Sequence, residues 1–354
     1  MNVAEPIYEE IIHERVQMYP LMRYMGSKHK LVPWIHEVLK ELDFKTVLDG
    51  FSGSSVVSYL FKSMGKRVYS NDFLHFSSLI SRGLIENSSH ILSERDIHLL
   101  CNEDVRAKNF IADTFKGVFY SKPELIFLDK VSANISKISS KYKRALAYSA
   151  LFRACIKKQP RGVFTVSGNL DRYNDGRRDL RLSLAEHFVE QIQIYNNLVF
   201  DNGDSSLSFN QNIFDFNNSL YFPDLVYLDP PYVPKSDDNC YIKRYHFLEG
   251  LSKYWEGEEI MEHTKVKKIQ KKFTPFSYRR TAPDAFKEMF KKFGDSTIVL
   301  SYSSNAYPDL KTLTSLLKVV KRKVTVHEKP HRYHFGNHAG VQRALVKEYL
   351  IIGQ

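Results

Sequence analysis

The strongest constraint on the fold is a set of short, β-branched apolar runs, each closed by polar residues or by Gly and Pro. Seven such runs occur along the chain: 46–49, 67–70, 198–201, 224–229, 297–301, 323–327 and 346–352. The first five have no alternating polar face, which is typical of parallel strands buried on both sides. Helical patterns over 54–64 and 282–293 lie between them. Alternating strands and helices predict an α/β fold with a doubly wound sheet.

The stretch from about residue 76 to 194 lacks this alternation of strands and helices. Apolar residues recur every three or four positions over 133–157, which predicts a helix. The stretch closes with a Gly-punctuated segment over 162–179, which indicates a short hairpin or an ordered loop. We therefore expect a mainly helical insertion over 76–194, inside a sheet-containing domain formed by 1–75 and 195–354.

Basic residues outnumber acidic ones by 51 to 40, and the excess is concentrated in two stretches. Residues 137–181 hold twelve basic and three acidic groups, and residues 265–292 hold ten and two. Aromatic residues lie between the charges, which suits a polyanionic partner such as nucleic acid, although a solvated helix face has a similar composition. The candidates for such contacts are Lys157, Lys158, Arg161, Arg172, Arg177, Arg178, Lys243, Arg279 and Arg280.

Several classes of protein are excluded by the sequence. No run of about 18 apolar residues occurs, so we expect no membrane span, and the polar, acidic N-terminal segment does not resemble a secretory signal. Cys101, Cys155 and Cys240 are far apart and offer neither a disulfide framework nor a zinc-binding pair. The histidines over 331–338 lack the spacing of a metal site. We expect a cytoplasmic protein with reduced thiols and no bound metal.

The sharpest motif is Asp229-Pro230-Pro231-Tyr232, at the end of the fourth predicted strand. Ligands of open α/β sheets bind at the carboxyl ends of strands. The Asp229 carboxylate and the Pro230 carbonyl can both accept hydrogen bonds from an exocyclic amine, since Pro231 has no N–H group. The Tyr232 ring can stack on a base. The motif therefore fits a nucleobase that carries an amino group, although a proline-rich turn after a strand has a similar sequence.

A second motif, Asp49-Gly50-Phe51-Ser52-Gly53, lies between the first predicted strand and a predicted helix. Small residues let the backbone approach a ligand closely, and the helix N-terminus adds polar contacts. The spacing is not the GxGxxG of dinucleotide-binding proteins. The motif is similar to the DxFxGxG loop of S-adenosylmethionine-dependent methyltransferases, with Ser55 in place of the last Gly. A simple tight turn between strand and helix is the alternative.

Acidic residues follow two further predicted strands. Asp72 follows the second strand, about 20 residues beyond the glycine loop, where it could accept hydrogen bonds from ribose hydroxyls. Asp204 follows the third, where it could accept from the cofactor's adenine amine. Helix caps or turns also use acids at such positions. Near the N-terminus, Gly26 allows close approach, Lys28 could meet a carboxylate and Tyr24 could stack on a ligand, although a basic helix start is the alternative.

In this order the motifs resemble the Dam-like, alpha-group family of DNA adenine-N6 methyltransferases. That family combines an N-terminal Y-x-G-[GS]-K motif, a Phe-x-Gly loop, acids after strands two and three, a long target-recognition insertion and a late Asp-Pro-Pro-Tyr. The segment 162–168 is similar to the family's G-x-F-N-V-P-x-G recognition hairpin, with Thr165 in place of Asn and Ser167 in place of Pro. Segments 241–247 and 300–305 resemble its Tyr/His/Phe-rich loop and its strand-five motif.

The resemblance implies a Rossmann-like methyltransferase sheet with an inserted target-recognition domain. It implies S-adenosylmethionine as the cofactor and double-stranded DNA as the partner, with a flipped adenine methylated at N6. A cognate restriction endonuclease, where one exists, would act separately. The cofactor-binding residues that it implies are Tyr24, Gly26, Lys28, Asp49, Phe51, Ser52, Gly53, Asp72, Asp204 and Asp229. The catalytic residues that it implies are Asp229, Pro230, Pro231 and Tyr232.

Other activities compete with this interpretation. A 5-methylcytosine enzyme needs a nucleophilic cysteine, normally after proline, whereas the cysteines here follow Leu, Ala and Asn. An N4-cytosine methyltransferase shares the amine chemistry but commonly has Ser at the position of Asp229. An RNA or protein-glutamine methyltransferase would use a related tetrapeptide, and the large basic insertion favours DNA over both. A non-catalytic DNA-binding module would show a broken Asp-Pro-Pro-Tyr motif or glycine loop.

Overall fold

A seven-stranded sheet forms the centre of the structure, with helices against both faces. The computed structural model describes residues 4–102, 107–166, 175–233, 240–332 and 345–354. The strands of the described residues are β1 (Thr46–Asp49), β2 (Arg67–Asp72), β3 (Leu207–Asn210), β4 (Leu225–Leu228), β5 (Ile260–Met261), β6 (Lys268–Ile269), β7 (Thr297–Ser303), β8 (Val324–Arg332) and β9 (Leu345–Gly353). Of these, β5 and β6 form a separate two-stranded sheet, and the other seven form the central sheet. The helices are α1 (Ala4–Met18), α2 (Val32–Leu39), α3 (Val56–Ser63), α4 (His75–Ser81), α5 (Glu94–Asn102), α6 (Phe110–Thr114), α7 (Lys122–Lys137), α8 (Lys141–Lys158), α9 (Arg178–Arg181), α10 (Leu184–Asn196), α11 (Asn218–Tyr221), α12 (Tyr241–Ser252), α13 (Ala282–Lys292) and α14 (Leu310–Lys318). Within the described ranges, no helix is both long and apolar enough to cross a membrane.

The sheet has the strand order β3-β2-β1-β4-β7-β9-β8, and β9 runs antiparallel to both of its neighbours. The order reverses between β1 and β4, which are parallel and pair Leu48 with Val226. In open α/β sheets the ligand crevice lies at the carboxyl ends of the strands, at such a reversal. Asp49 ends β1 and Asp229 follows β4, so both lie at this crevice. The α/β fold class predicted from the sequence is confirmed.

The burial of the strands explains why apolar runs identified them. Every residue of β4 is buried, and β1, β2 and β7 are each buried except at their first residue. Helices cover both faces of these strands, so no polar face interrupts the sequence pattern. The strands predicted over 46–49, 67–70, 224–229, 297–301, 323–327 and 346–352 are confirmed, with small differences at their ends.

The strand predicted over 198–201 is wrong. This run follows the end of α10, and the carbonyl of buried Leu198 accepts a hydrogen bond from Tyr59 Oη at 3.1 Å. Phe200 packs edge-on against the same tyrosine, with ring centroids 5.5 Å apart. Leu198 is therefore buried, and Val199 and Phe200 are partly buried, against the helices of this core. The third strand along the chain is Leu207–Asn210, at the edge of the sheet, where its first three residues are partly buried.

Two helices, α7 and α8, replace the single helix predicted over 133–157. Ser140 caps α8 by accepting a hydrogen bond from the backbone N–H of Lys143 at 3.4 Å. The Arg144 side chain donates to the carbonyl of Ile138 at 2.6 Å, which satisfies a backbone group in the break between the helices. The apolar periodicity continues through the break because both helices pack into the same core.

The helices α4 to α8 and α10 share one hydrophobic core with a face of the sheet. Leu146 and Phe152 of α8 belong to the same buried cluster as Val47 of β1 and Leu60 of α3. A separate cluster, formed with α13 and α14, covers the other face. The described part of 76–194 is mainly helical, as expected, and its division from the rest of the chain as a recognition domain stays a prediction.

Candidate active site

A pocket with an empty volume of about 1080 Å³, including space open to solvent, lies at the carboxyl ends of β1, β2 and β4. Its walls come from the N-terminal motif, the glycine loop after β1, the residues after β2 and β3, the start of α12 and the segment 272–276. The predicted site residues in these walls are Tyr24, Gly26, Lys28, Asp49, Phe51, Ser52, Gly53, Asp72, Asp229 and Pro231. The fold thus brings together motifs that are far apart in the sequence.

Lys28 and Asp229 form an ion pair in the pocket wall, although 201 positions separate them. Lys28 Nζ lies 2.8 Å from Asp229 Oδ1 and donates to the carbonyl of Gly26 at 3.3 Å. Burial alone would lower the pKa of Lys28, but carboxylates led by Asp229 hold it at about 12. Burial raises the pKa of Asp229, and Lys28 opposes that change. The lysine therefore stays charged and fixes a carboxylate at the end of β4.

Asp72 shapes the glycine loop. Its Oδ2 accepts a hydrogen bond from the backbone N–H of Gly53 at 2.7 Å, and its Oδ1 accepts one from Leu74 at 2.8 Å. Burial raises the pKa of Asp72 to about 7, against the effect of these two donors. Gly53 has a φ of +51°, and a Cβ there would meet Tyr24 Cε1 at 2.9 Å, so the position requires glycine. The predicted contact of Asp72 with a ribose stays a prediction.

Two buried oxygen atoms, Asp49 Oδ1 and Asn71 Oδ1, have no hydrogen-bond partner among the described residues. Asp49 Oδ2 accepts from Ser58 Oγ at 2.6 Å, and Asn71 Nδ2 donates to the carbonyls of Gly50 and Gln211, each at 3.2 Å. Burial raises the pKa of Asp49 to about 7, and the bond from Ser58 opposes it. Buried acceptors normally have donors. Both residues line the pocket, so these oxygens fit a ligand that carries ammonium or hydroxyl groups.

Tyrosines of α12 support the N-terminal motif, and the residue-level predictions did not include them. The rings of Tyr24 and Tyr245 stack, with centroids 5.0 Å apart and planes 4° from parallel. Tyr245 Oη accepts a hydrogen bond from the backbone N–H of Met25 at 2.7 Å. A Cβ on Gly26 would meet Tyr241 Oη at 3.0 Å. This segment, expected to resemble a loop, forms the first part of a helix, and the four-residue spacing of its tyrosines is the signal that could have revealed it.

The Asp-Pro-Pro-Tyr motif is held in place from β7. Pro231 lies in the pocket wall, and Tyr232 is partly buried. The ring of Tyr232 packs edge-on against Tyr302, with centroids 5.8 Å apart and planes at 68°. Tyr302 belongs to the segment 300–305 that resembles a strand-five motif, so that segment contacts the tetrapeptide directly.

The placement predicted for Asp204 is wrong. Because the third strand begins at Leu207, Asp204 precedes that strand. It therefore lies at the amino ends of the strands, whereas the pocket lies at their carboxyl ends. There its carboxylate pairs with Arg67 at the start of β2, at 3.4 Å. Residues that follow β3, among them Asn212 and Ile213, line the pocket instead. Asp204 is therefore not part of the proposed cofactor site.

Two of the predicted DNA-contacting lysines are engaged within the fold. Lys158 donates to the carbonyls of Leu180 and Leu182 at 2.8 and 2.6 Å and so holds the segment that contains α9. Lys157 pairs with Asp179 at 2.7 Å, and about a fifth of its side chain is exposed. We leave Lys158 out of the proposed DNA surface because its ammonium group is committed to these backbone acceptors.

The other predicted basic residues lie nearer to solvent. Exposed or partly exposed are Arg161, Arg177, Arg178, Lys243, Arg279 and Arg280. The guanidinium of Arg279 lies over the ring of Tyr307 at 4.8 Å. The Tyr307 N–H donates to the carbonyl of Val233 at 3.2 Å, immediately after the Asp-Pro-Pro-Tyr motif. Arg279 therefore lies beside the active-site edge. Arg172 is outside the described residues.

The segment 162–166, which resembles the start of a recognition hairpin, is attached to α12. The backbone N–H of Phe164 donates to the carbonyl of Arg244 at 2.9 Å, and its carbonyl lies 2.8 Å from His246 Nε2. Burial lowers the pKa of His246 to about 4, so this imidazole is neutral near pH 7. Ser167, one of the two departures from the family's pattern, lies outside the described residues.

The fold and the pocket define a class of enzyme. A glycine loop after β1, acids at the ends of β1 and β2, and an Asp-Pro-Pro-Tyr motif after β4 are together typical of a Rossmann-like methyltransferase that acts on an amino group. The orphaned oxygens of Asp49 and Asn71 and the close approach at Gly53 fit S-adenosylmethionine, which carries an ammonium group and ribose hydroxyls. Methyltransferases of this kind generally use that cofactor.

Comparison with known proteins identifies the family. Residues 24–303 match the family described as D12 class N6 adenine-specific DNA methyltransferase. The chain is 32% identical over 328 residues to the Type II methyltransferase M2.HphI of Haemophilus parahaemolyticus, covering 89% of this chain and 92% of that protein. It is 25% identical to the Type II methyltransferase M.FokI of Planomicrobium okeanokoites and 22% identical to the Modification methylase LlaI of Lactococcus lactis subsp. lactis. These two alignments include 90% and 91% of this chain, but only 50% and 53% of the two relatives.

The chain belongs to the D12 class of N6 adenine-specific DNA methyltransferases. It is an enzyme that methylates adenine in DNA at N6, and it acts site-specifically. Membership of this class decides against the N4-cytosine and non-catalytic alternatives. The resemblance to adenine-N6 methyltransferases inferred from the sequence is confirmed.

Proposed function

We propose that the chain binds S-adenosylmethionine in the pocket after β1, β2 and β3 and transfers its methyl group to an adenine held by Asp229. The observation that carries this proposal is the position of Asp229. Its carboxylate lies in the wall of the same pocket as the buried acceptors of Asp49 and Asn71. A base at Asp229 would therefore be beside a cofactor at those acceptors.

In the part of the pocket proposed to hold the cofactor, the shape of the wall and a few acceptor atoms in fixed positions are proposed to bind it. Asp49 Oδ1 is suited to the ammonium group, and Asn71 Oδ1 to a second donor such as a hydroxyl. The proposed wall around the cofactor consists of Tyr24, Gly26, Lys28, Asp49, Phe51, Ser52, Gly53, Asp72 and Asp229. When bound, S-adenosylmethionine supplies a methyl group already activated by its sulfonium. The protein is then left to position the acceptor and to stabilise charge.

The adenine half is proposed to orient the N6 amine. Lys28 is bonded to Asp229 Oδ1, so Oδ2 is the oxygen proposed to accept a hydrogen bond from N6. The carbonyl of Pro230 is the second acceptor, and Tyr232 provides an aromatic face. Two acceptors fix the amine with its lone pair directed at the methyl group, and no proton needs to leave beforehand. Because this chemistry cannot reach a base inside a duplex, the adenine must be flipped out of double-stranded DNA.

The proposed DNA surface follows the exposed and partly exposed basic residues around the carboxyl ends of the strands and in the insertion. Its proposed members are Lys157, Arg161, Arg177, Arg178, Lys243, Arg279 and Arg280. Arg279 lies over Tyr307, whose N–H bonds to the carbonyl of Val233, and this position supports the part of the surface nearest the catalytic motif. Phosphate contacts of this kind would set affinity and orientation, and base contacts from the insertion would set the sequence read.

The names of the relatives support a place in restriction and modification. M2.HphI and M.FokI are both Type II methyltransferases. We propose that this chain marks the recognition site of a separate restriction endonuclease and so protects the DNA of its own cell. The chain would then act without a physical complex with the endonuclease.

The catalytic assignment is tested by incubating the protein with S-adenosylmethionine and unmodified DNA and identifying the modified nucleoside by mass spectrometry. We expect the unaltered protein to form N6-methyladenine. Asp229→Ala should lower turnover by about 100-fold or more, because it removes an acceptor that orients the reacting amine. Its binding of cofactor and DNA should be largely retained.

Asp204→Ala is the matched control, because it removes an acid at the amino ends of the strands, away from the pocket. It should leave turnover unchanged. N4-methylcytosine as the product would contradict the base assignment. Normal turnover by Asp229→Ala would contradict the role of that carboxylate.

A further inference from the structure

Glu348 is a buried carboxylate that the proposed mechanism has not used. It lies at the end of the sheet where the parallel strands have their carboxyl ends and where the pocket is. It lies on β9 opposite Ser303, the last residue of β7. Leu300 of β7 pairs with Leu228, the residue before Asp229, so Glu348 is near the level of the catalytic motif. Only 1% of Glu348 is exposed. An ionised carboxylate is costly to bury unless a cation lies nearby.

Lys28 is a buried cation whose charge interacts with that of Glu348. Burial alone would lower the pKa of Lys28, and the carboxylates of Asp229 and then Glu348 make the largest opposing contributions, so that the pKa is about 12. Glu348 also acts on Asp229, because its negative charge adds to the effect of burial in raising the pKa of that carboxylate. One buried ammonium group thus pairs with Asp229 at 2.8 Å, interacts electrostatically with Glu348, and also bonds to the carbonyl of Gly26 at 3.3 Å.

We propose that Glu348 is a positioning residue for methyl transfer, a second counter-ion that holds Lys28 and leaves Asp229 able to accept the adenine amine. This inference rests on the proposed role of Asp229. Glu348 is not among the described residues that line the pocket, so it would act through Lys28 and would not touch the substrate. With Glu348 neutral, the charge of Lys28 would be balanced by Asp229 alone, which would make Asp229 a weaker acceptor.

A two-carboxylate arrangement also suits the charge that passes through the site. With both carboxylates ionised, Lys28, Asp229 and Glu348 together carry one net negative charge beside the pocket. As the N6–CH3 bond forms and the C–S bond breaks, positive charge moves from sulfur to N6, next to Asp229. A net negative site stabilises that charge until the N6 proton is lost to solvent. Removing one of the two carboxylates would leave these three groups with no net charge.

The first test is the pH dependence of kcat for Glu348→Gln, measured with saturating S-adenosylmethionine and DNA. The charged or titratable groups that face Asp229 from the surrounding elements are Lys28, Asp49, Tyr227, Tyr241 and Glu348. Loss of the Glu348 charge lowers the pKa of Asp229, so the acid limb of the profile should move to lower pH. We expect kcat on the plateau to fall by about tenfold, within the range seen for coupled neighbours, with cofactor affinity unchanged.

Two variants separate this role from a merely structural one. Glu348→Asp keeps the charge, so it should recover most of kcat and the original acid limb, and it carries the test even where the Gln variant does not fold. Glu328→Gln is the matched control, because Glu328 lies on the adjacent strand β8 and pairs with exposed Lys347 at 3.0 Å. It removes the same charge away from the site and should leave kcat and the acid limb unchanged.

A double-mutant cycle with Lys28→Met, followed by single-turnover kinetics, tests whether Glu348 acts through Lys28. In that background Glu348→Gln should change the rate on the pH plateau less than about twofold. The cation through which Glu348 positions Asp229 is gone, and only the direct effect of the Glu348 charge on the pKa of Asp229 remains. The inference would be overturned if Glu348→Gln still lowered the plateau rate tenfold in the Lys28→Met background. It would also be overturned if Glu348→Gln left the acid limb of the pH profile unmoved while Lys28 is present. If Asp229→Ala is inactive while Glu348→Gln is fully active, the inference fails and the proposed function stands. If Asp229→Ala is itself active, the proposed function fails.

Discussion

At the scale of single residues, the protonation of Asp49 should decide how well the pocket accepts a cationic group, because Asp49 is the residue proposed to hold the ammonium group of the cofactor. Burial raises the pKa of Asp49 to about 7 in the folded protein. A raised carboxyl pKa favours the folded state most below the unfolded value of about 4, and this advantage is lost as the pH rises through 7. Above that pH the free protein holds a buried negative charge, which a bound ammonium group would neutralise.

We therefore predict that affinity for S-adenosylhomocysteine, which keeps the ammonium group, increases from pH 6 to pH 8. Near a pKa of 7 the expected gain is about tenfold, measured by calorimetry at each pH. Asp49→Asn keeps an acceptor oxygen but cannot ionise, so its affinity should depend much less on pH. Asp72 also has a raised pKa and is retained in that variant. A pH dependence unchanged by Asp49→Asn would assign the titration to Asp72 or another group and contradict the role of Asp49.

The sequence identified individual site residues better than it identified their partners. Lys28, Asp49 and Asp229 each follow from a local motif, but their contacts depend on the order in which distant strands pair. The bond from Lys28 to Asp229 spans 201 positions, and Glu348 reaches the same place only because β9 inserts between β7 and β8. No short sequence pattern contains that information.

At the scale of elements, apolar runs predicted the central strands because those strands are buried on both faces. The same signal failed at the sheet edge. The residues of β3, Leu-Ser-Phe-Asn, are mostly half-buried and give no continuous apolar run. The run over 198–201 is more apolar, but it follows α10 and packs against helices. The error about Asp204 follows directly from the misplaced strand. The prediction put Asp204 at the carboxyl end of the third strand, whereas it lies before the amino end of that strand.

The segment after β6 carries an aromatic pair whose surroundings favour DNA. Phe273 is 63% exposed and stacks on Tyr278, with ring centroids 5.4 Å apart and planes 12° from parallel. Phe273 also lies in the pocket wall, and Arg279 and Arg280 follow closely in the chain. An exposed ring between cations at the mouth of the proposed adenine site is suited to stack on a base beside the flipped adenine.

We predict that Phe273→Ala weakens binding of a duplex recognition site by about tenfold, because stacking on one base contributes roughly 1–3 kcal/mol. Fluorescence anisotropy with labelled duplex measures this change, and calorimetry should find cofactor affinity unaltered. Phe222→Ala is the control, since Phe222 is 70% exposed but lies just before β4, at the opposite edge of the sheet. Equal effects of the two substitutions would contradict the assignment of Phe273 to the DNA surface.

At the scale of the whole molecule, the net charge of +11 is less informative than its distribution. Binding to DNA releases condensed counterions, and each phosphate contact steepens the fall of affinity with salt. A charge far from the DNA contributes little to this slope because ions screen it over about 10 Å at 0.1 M salt. The salt dependence can therefore distinguish the proposed DNA surface from a merely basic protein.

We predict that Arg279→Ala together with Arg280→Ala reduces the slope of log affinity against log salt by about two, one for each lost phosphate contact. Lys318→Ala together with Lys323→Ala removes the same net charge from exposed positions near the start of β8, at the edge opposite the pocket. That control should leave the slope unchanged. Anisotropy titrations of both double variants on one duplex, over a series of salt concentrations, provide the comparison. If the slope falls equally in both, binding follows net charge and the active-site edge is not the DNA surface; if only the arginine pair changes it, the DNA lies across the carboxyl ends of the strands.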